Sequence, residues 1–131
     1  MKKLAMVAIF AVFCSFMTVS VAAAAQNWAI VINSSDKETA WNAMRVARFS
    51  QQQGNDVAVF FLGQGVQAAV IDDEQFNVLD LLEDFADDGG DVHACKACLR
   101  LHKVNAGESC PAGTMKILYG LINKADKILI F

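Results

Sequence analysis

Three short runs of uninterrupted apolar residues constrain the fold of this chain most. They are Trp28-Ala29-Ile30-Val31-Ile32, Val57-Ala58-Val59-Phe60-Phe61-Leu62 and, behind Lys127, Ile128-Leu129-Ile130-Phe131. A strand with one face in water alternates apolar and polar residues. A run without alternation is buried on both faces, as in a parallel sheet covered by helices. A fourth, shorter strand fits Asp91 to Ala94 and ends at Cys95. Parallel strands need crossover connections, and the stretches between these runs have helical spacing. The order is β-α-β-α-β-α-β, which predicts an α/β fold: a three-layer α/β/α arrangement around an open, mainly parallel sheet.

The local signals divide the connections. Ser35 and Glu38 fit a capping box, so a helix is expected from Asp36 to about Gln53, ended by Gly54. Ala40, Ala43, Met44 and Ala47 share its inner face. Gly63-Gln64-Gly65-Val66 follows the second strand and reads as a tight turn. A phosphate loop would need a third glycine and the first strand. Asp72-Asp73-Glu74 is expected to open a second helix, with Val78, Leu79, Leu82 and Phe85 inward. Asp80, Glu83, Asp84 and Asp87 form its solvated outer stripe. After Cys95 a helical turn is expected near Cys98, then a loop over 105–113. A last helix over Thr114 to Asn123 would bury Met115, Leu118, Tyr119 and Ile122.

The first 25 residues read differently. Lys2 and Lys3 precede an apolar stretch from Leu4 to Ala23, broken only by Ser15, Thr18 and Ser20, and Ala22 to Ala25 supply small residues for cleavage. That is the pattern of a secretory signal peptide. The expected division is 1–25 signal and 26–131 domain, with a periplasmic or secreted location and membrane contact only before cleavage. Cys14 falls in the discarded segment. The remaining 106 residues suffice for one core. They carry nine Lys and Arg against fourteen Asp and Glu, a net charge of −5. That balance argues against a nucleic-acid partner.

Three cysteines remain, Cys95, Cys98 and Cys110, and an odd count in an exported chain leaves one thiol outside any internal pair. Cys95 and Cys98 lie three residues apart beside Lys96, Arg100, His102 and Lys103, with His93 just upstream. A thiolate is the nucleophile in cysteine chemistry, and cations and a helix start favour it. Cys95 also ends a strand, where open α/β sheets gather reactive groups. Cys95 and Cys98 are therefore the candidate catalytic residues. No cofactor and no metal is assigned. A metal set of Cys95, Cys98 and His102 with Cys110 or His93 is a weaker reading, because zinc sites show tighter paired spacing. Covalent haem would need His after Cys98, where Leu99 stands.

On these residues the chain resembles the DsrE/DsrF-like family, which includes the TusD-related sulfur-relay proteins. The resemblance runs from Ala29-Ile30-Val31-Ile32 and the helix with Ala43 and Ala47, through Val59-Phe60-Phe61 and Gly65-Val66. It is sharpest at Cys95-x-x-Cys98 with its basic segment and Val104, and closes on Ala125-Asp126-Lys127-Ile128-Leu129-Ile130-Phe131. It implies a homotrimer or homohexamer. It also implies that Cys95 matches the cysteine that carries sulfur as a persulfide, with Cys98 matching a second cysteine of some members. Lys103 stands where the family has glycine, Cys110 is additional, and the best-known relay members are cytoplasmic, without such a signal. The expected function is an exported sulfur-handling protein that carries sulfane sulfur as a cysteine persulfide, with a sulfur donor or acceptor protein as partner. Whether it turns over as a sulfurtransferase is left open by the residues. The alternatives are a thiol–disulfide module using Cys95 and Cys98, with Cys110 as resolving thiol, and a noncatalytic oligomeric or metal-binding module.

Overall fold

The computed structural model describes residues 22–131. The apolar run and most of the proposed signal therefore lie outside the described residues. Five strands, β1 (Asn27–Ile32), β2 (Asp56–Phe61), β3 (Asp91–Cys95), β4 (Ala112–Gly113) and β5 (Lys127–Ile130), form one sheet in the order β4-β3-β2-β1-β5. Every pairing is parallel. The helices are α1 (Lys37–Gln52), α2 (Val78–Asp87), α3 (Lys96–His102) and α4 (Met115–Lys124). The crossovers through α1, α2 and α3 step across the sheet in one direction, and the crossover through α4 steps back. Right-handed connections therefore place α4 on the opposite face, giving the expected three layers.

The uninterrupted runs behave as double-sided core in β1 and β2, where Ile30, Ile32, Val59, Phe60 and Phe61 are fully buried. The run at β5 does not. β5 is an edge strand, and its Ile128 and Ile130 are exposed. An edge position beyond the covering helix leaves a strand face open, which periodicity alone does not reveal.

The caps also depart from expectation. The Ser35–Glu38 box does not form. Asp36 caps α1 instead, its carboxylate accepting the Thr39 N–H at 2.8 Å. That hydrogen bond holds the Asp36 carboxyl below its usual range, and a charged acceptor outcompetes the neighbouring serine hydroxyl at a helix start. Gly54 ends α1 as expected, at φ +85°, donating its N–H to the Gln51 carbonyl.

α2 begins at Val78 rather than at Asp72. Asp73 folds the preceding segment into a turn by accepting the N–H groups of Gln75 and Phe76. The Lys37 ammonium against it, followed by those two donors, brings its carboxyl down to about 2. An acidic triplet thus serves a turn here, and Asn77 caps the helix. Val78, Leu82 and Phe85 are buried as expected, while Leu79 is only half-buried.

α4 is rotated from its expected orientation. Leu118 is its one buried residue, with Ile117 and Leu121 packed beside it. Met115, Tyr119 and Ile122 face outward, Tyr119 with 68% of its surface exposed. The helix is apolar most of the way round, so spacing does not select which stripe meets the sheet.

Candidate thiol site

The site lies where β2 and β3 end side by side. β3 delivers Cys95, which is both its last residue and the N-cap of α3. Helix α3 therefore starts at Lys96, two residues before the expected turn at Cys98. The Cys95 Sγ accepts the Cys98 N–H at 3.3 Å, doing with sulfur what a serine oxygen does at a helix start. The end of β2 delivers Gly63. Its N–H donates to the Cys98 Sγ, also at 3.3 Å. Two backbone donors, one from the first turn of α3 and one from just beyond β2, are thus aimed at two sulfurs, and such donors favour negative charge on the atoms they face.

The segment after β2 is not the expected tight turn. Gly63–Val70 forms a 3-10 helix that packs against α3. Gly63 adopts φ +57°, a left-handed conformation natural to glycine. Gly65 sits against the Ile32 carbonyl with no room for a side chain. Gln67 reaches across from this helix to the His102 ring, Nε2 to Nδ1 at 3.2 Å. The glycines were visible in the sequence. Their use as a thiol donor and a packing contact was not, because both partners come from distant segments.

Cys95 is 3% exposed, and Cys98 is half-buried. Burial pushes the Cys98 thiol up, and its hydrogen bond with the Cys95 side chain raises it further, while the Gly63 N–H works in the opposite direction. The net effect raises the Cys98 thiol above its ordinary value. Lys96, Arg100 and Lys103 are exposed and make no ion pair with a carboxylate among the described residues. Leu101, 77% exposed, stands among them.

The metal set expected as an alternative is not assembled. Among the described residues no three His, Cys, Asp or Glu side chains come close enough to share an ion. His102 is bound to Gln67, and the His93 Nε2 lies 2.9 Å from Asp91 Oδ1.

Cys110 departs most from its expected role as a resolving thiol. It is buried in the main core at 1% exposure, just ahead of β4. β4 lies in the stretch that composition reads as loop, since two residues are too few to make a pattern. Burial pushes the Cys110 thiol up to about 12. Alkylation of native protein near neutral pH should therefore spare Cys110 while modifying unfolded protein at all the thiols, read by peptide mass mapping. Labelling of native Cys110 as fast as Cys98 would contradict its burial. The same shift has a linkage consequence. An unfolded thiol ionises near the ordinary 9, so between 9 and about 12 the folded state binds the extra proton. Folding stability from this group is complete below pH 9 and falls as pH rises toward 12.

Lys103 ends α3 at φ 55°, ψ 41°, in left-handed conformation. The following Val104 N–H closes the helix on the Leu99 carbonyl at 2.9 Å. A lysine there pays a steric cost that glycine avoids, partly offset by glycine's freer unfolded chain. Lys103→Gly should stabilise the protein by about 0.5–1 kcal/mol in urea unfolding. A destabilised variant would contradict this geometry.

A parallel sheet with a cysteine pair at the junction of β3 and α3 defines a thiol-bearing α/β domain. The sequence model of the DsrE/DsrF-like family matches residues 26–131, and the chain belongs to that family. The chain is similar to the uncharacterized protein MK0008 of Methanopyrus kandleri, 29% identical over 101 residues that cover 72% of this chain and 84% of that protein. It is also similar to the crystal structure of the ychN protein from E. coli. That match has a TM-score of 0.73 at 25% identity and covers 81% of this chain and 99% of the other. Family membership suggests a role related to sulfur relay, a process that works through partner proteins.

Proposed function

We propose that this protein is an exported sulfur carrier that holds sulfane sulfur as a persulfide on Cys95. The observation that supports this most is the pair of backbone donors, Cys98 N–H on Cys95 Sγ and Gly63 N–H on Cys98 Sγ. In loading, the Cys95 thiolate attacks a donor's sulfane sulfur. A new S–S bond forms, the donor's own bond to that sulfur breaks, and the leaving thiolate or sulfite takes the electron pair. Passing the outer sulfur to a partner thiol reverses the pattern.

A buried Cys95 needs an opening. α3 supplies it: seven residues long, it buries no side chain fully, with only Cys98 and Leu99 packed half-buried against the core, and it ends on a strained Lys103. Segments with few buried contacts open at the lowest free energy. The unpaired Lys96, Arg100 and Lys103 around Leu101 suit an acidic partner surface at the same place. Intact-mass analysis after exposure to polysulfide or thiosulfate tests the reading. A gain of about 32 Da that a reductant removes supports it, and its absence at every donor concentration contradicts it. The same spectrum reads export: protein recovered from outside the cytoplasm should lack residues 1–25, and one that keeps Met1 would contradict cleavage.

The outward faces of α4 and β5 support a homotrimer or homohexamer. Met115, Tyr119 and Ile122 expose apolar surface on α4, and Ile128 and Ile130 expose it on the edge strand β5; such surface marks an association site. Light scattering at micromolar concentration should give an oligomer mass, and Ile130→Glu should shift it toward monomer. A monomeric parent protein would overturn this arrangement.

A further inference from the structure

Cys98 is held where a lone carrier thiol would need nothing. It follows Cys95 by one helical turn, its Sγ is fixed by the Gly63 N–H, and the two thiols are hydrogen-bond neighbours. Cys110 is buried in the core at 1% exposure, and no hydrogen bond links it to either thiol among the described residues. The pair is thus a dithiol in which one sulfur is buried and the other half-exposed.

We infer that Cys98 discharges the sulfur carried on Cys95 as hydrosulfide, so that the domain has a sulfide-releasing activity besides transfer to a partner. The inference rests on the carrier reading above. The Cys98 proton passes to the outer sulfur of the Cys95 persulfide. The Cys98 thiolate then attacks the inner sulfur, which is Cys95 Sγ. A Cys95–Cys98 bond forms, the bond between inner and outer sulfur breaks, and the electron pair leaves with the outer sulfur as HS⁻. The dithiol is oxidised by two electrons, and the sulfane sulfur is reduced to sulfide. One turnover needs no other reagent. Repeated turnover needs an external dithiol reductant to reopen the disulfide.

The geometry suits this step in two further ways. Cys98 keeps its proton until a neighbour accepts it, because burial and the bond to Cys95 both hold its thiol up. The Gly63 N–H faces the Cys98 sulfur and favours the transient thiolate. Opening of α3 then selects the outcome. With α3 displaced the outer sulfur meets a partner, and with α3 seated it meets Cys98.

The test uses the full chain, reduced, desalted under anaerobic conditions, loaded with inorganic polysulfide and desalted again. Trapped sulfide and intact mass are followed together. In wild type the adduct of about 32 Da should decay to a species about 2 Da below the reduced protein, with equimolar sulfide released. Dithiothreitol should restore the reduced mass. In Cys98→Ser the adduct should persist, with sulfide release slowed about tenfold or more. Cys110→Ser should behave as wild type. Release from Cys98→Ser at the wild-type rate, or a wild-type adduct that never yields the internal disulfide, overturns the discharge step alone. If neither wild type nor Cys98→Ser gains the adduct, the carrier reading fails and the discharge step falls with it.

Discussion

Cys95→Ser is expected to reduce sulfur loading to background, with no adduct of about 32 Da at polysulfide concentrations that saturate wild type. A serine hydroxyl is not ionised near neutral pH and is a poor attacking group without a base beside it. The variant is also structurally mild. Serine is a preferred N-cap, so its oxygen should accept the Cys98 N–H that Cys95 Sγ accepts now. An unchanged urea midpoint would separate lost chemistry from lost fold. The effects should be graded across the three thiols. Cys98→Ser should still load, since Cys95 remains and a serine oxygen can accept the Gly63 N–H. Cys110→Ser should change loading least, because that thiol is buried and held protonated. Loading of Cys95→Ser at the wild-type rate would refute the carrier assignment and pass the role to Cys98, the more exposed thiol.

That gradation shows which parts of the site were legible in the sequence. Cys95 at a strand end was legible, because an apolar run that stops at a cysteine before a basic segment has few other readings in a parallel sheet. The position of Cys98 followed from its spacing. Two features depended on segments far away in the chain. One was the Gly63 N–H on Cys98, which requires β2 and β3 to be neighbours. The other was the burial of Cys110, whose loop-like surroundings of Gly107, Pro111 and Gly113 say nothing about the core beneath them.

The fold divides along the same line. β1 and β2 were readable because both their faces are covered, so composition alone marks them. β5 has the same composition but an edge position, and only the strand order exposes that difference. In α4 apolar residues span more than one face, so the stripe expected at Met115, Leu118, Tyr119 and Ile122 was one choice among several, and packing put Ile117, Leu118 and Leu121 inward. Both helix starts differ from their sequence signals: the Ser35–Glu38 box does not form, and the acidic triplet does not open α2, which Asn77 caps. Asp36 caps α1 and Asp73 makes a turn, the choice falling to whichever donors the backbone presents.

Gly65→Ala is expected to be the most damaging small substitution in the described domain. Gly65 follows β2 in the 3-10 helix, and its backbone lies directly on the end of β1. A Cβ there would overlap the Ile32 carbonyl oxygen, approach the Ile32 carbonyl carbon at 2.6 Å and the Asn33 Cα at 3.0 Å. All three atoms belong to backbone, so no side chain can swing aside. The Ile32 oxygen is also the acceptor of the Leu62 N–H at 2.9 Å, which ties β1 to the end of β2. Relief would require β1 and the 3-10 helix to separate, breaking that bond and unpacking buried Val66, Ala68 and Ala69. A loss of about 3 kcal/mol or more is expected in urea unfolding, at the upper end of overpacking effects. Gly63→Ala is the matched control. Gly63 is two residues earlier, has open space where a Cβ would go, and pays only for its φ of +57°, a cost of about 1–2 kcal/mol. The two alanines should therefore differ clearly, with Gly65→Ala the worse. The thiol site should register the difference too. A displaced 3-10 helix withdraws the Gly63 N–H from Cys98, so alkylation of Cys98 in the surviving folded Gly65→Ala protein should be faster than in wild type. If Gly65→Ala is as stable as wild type, the contact between the 3-10 helix and β1 is not as close as described, and the placement of Gly63 over Cys98 loses its support.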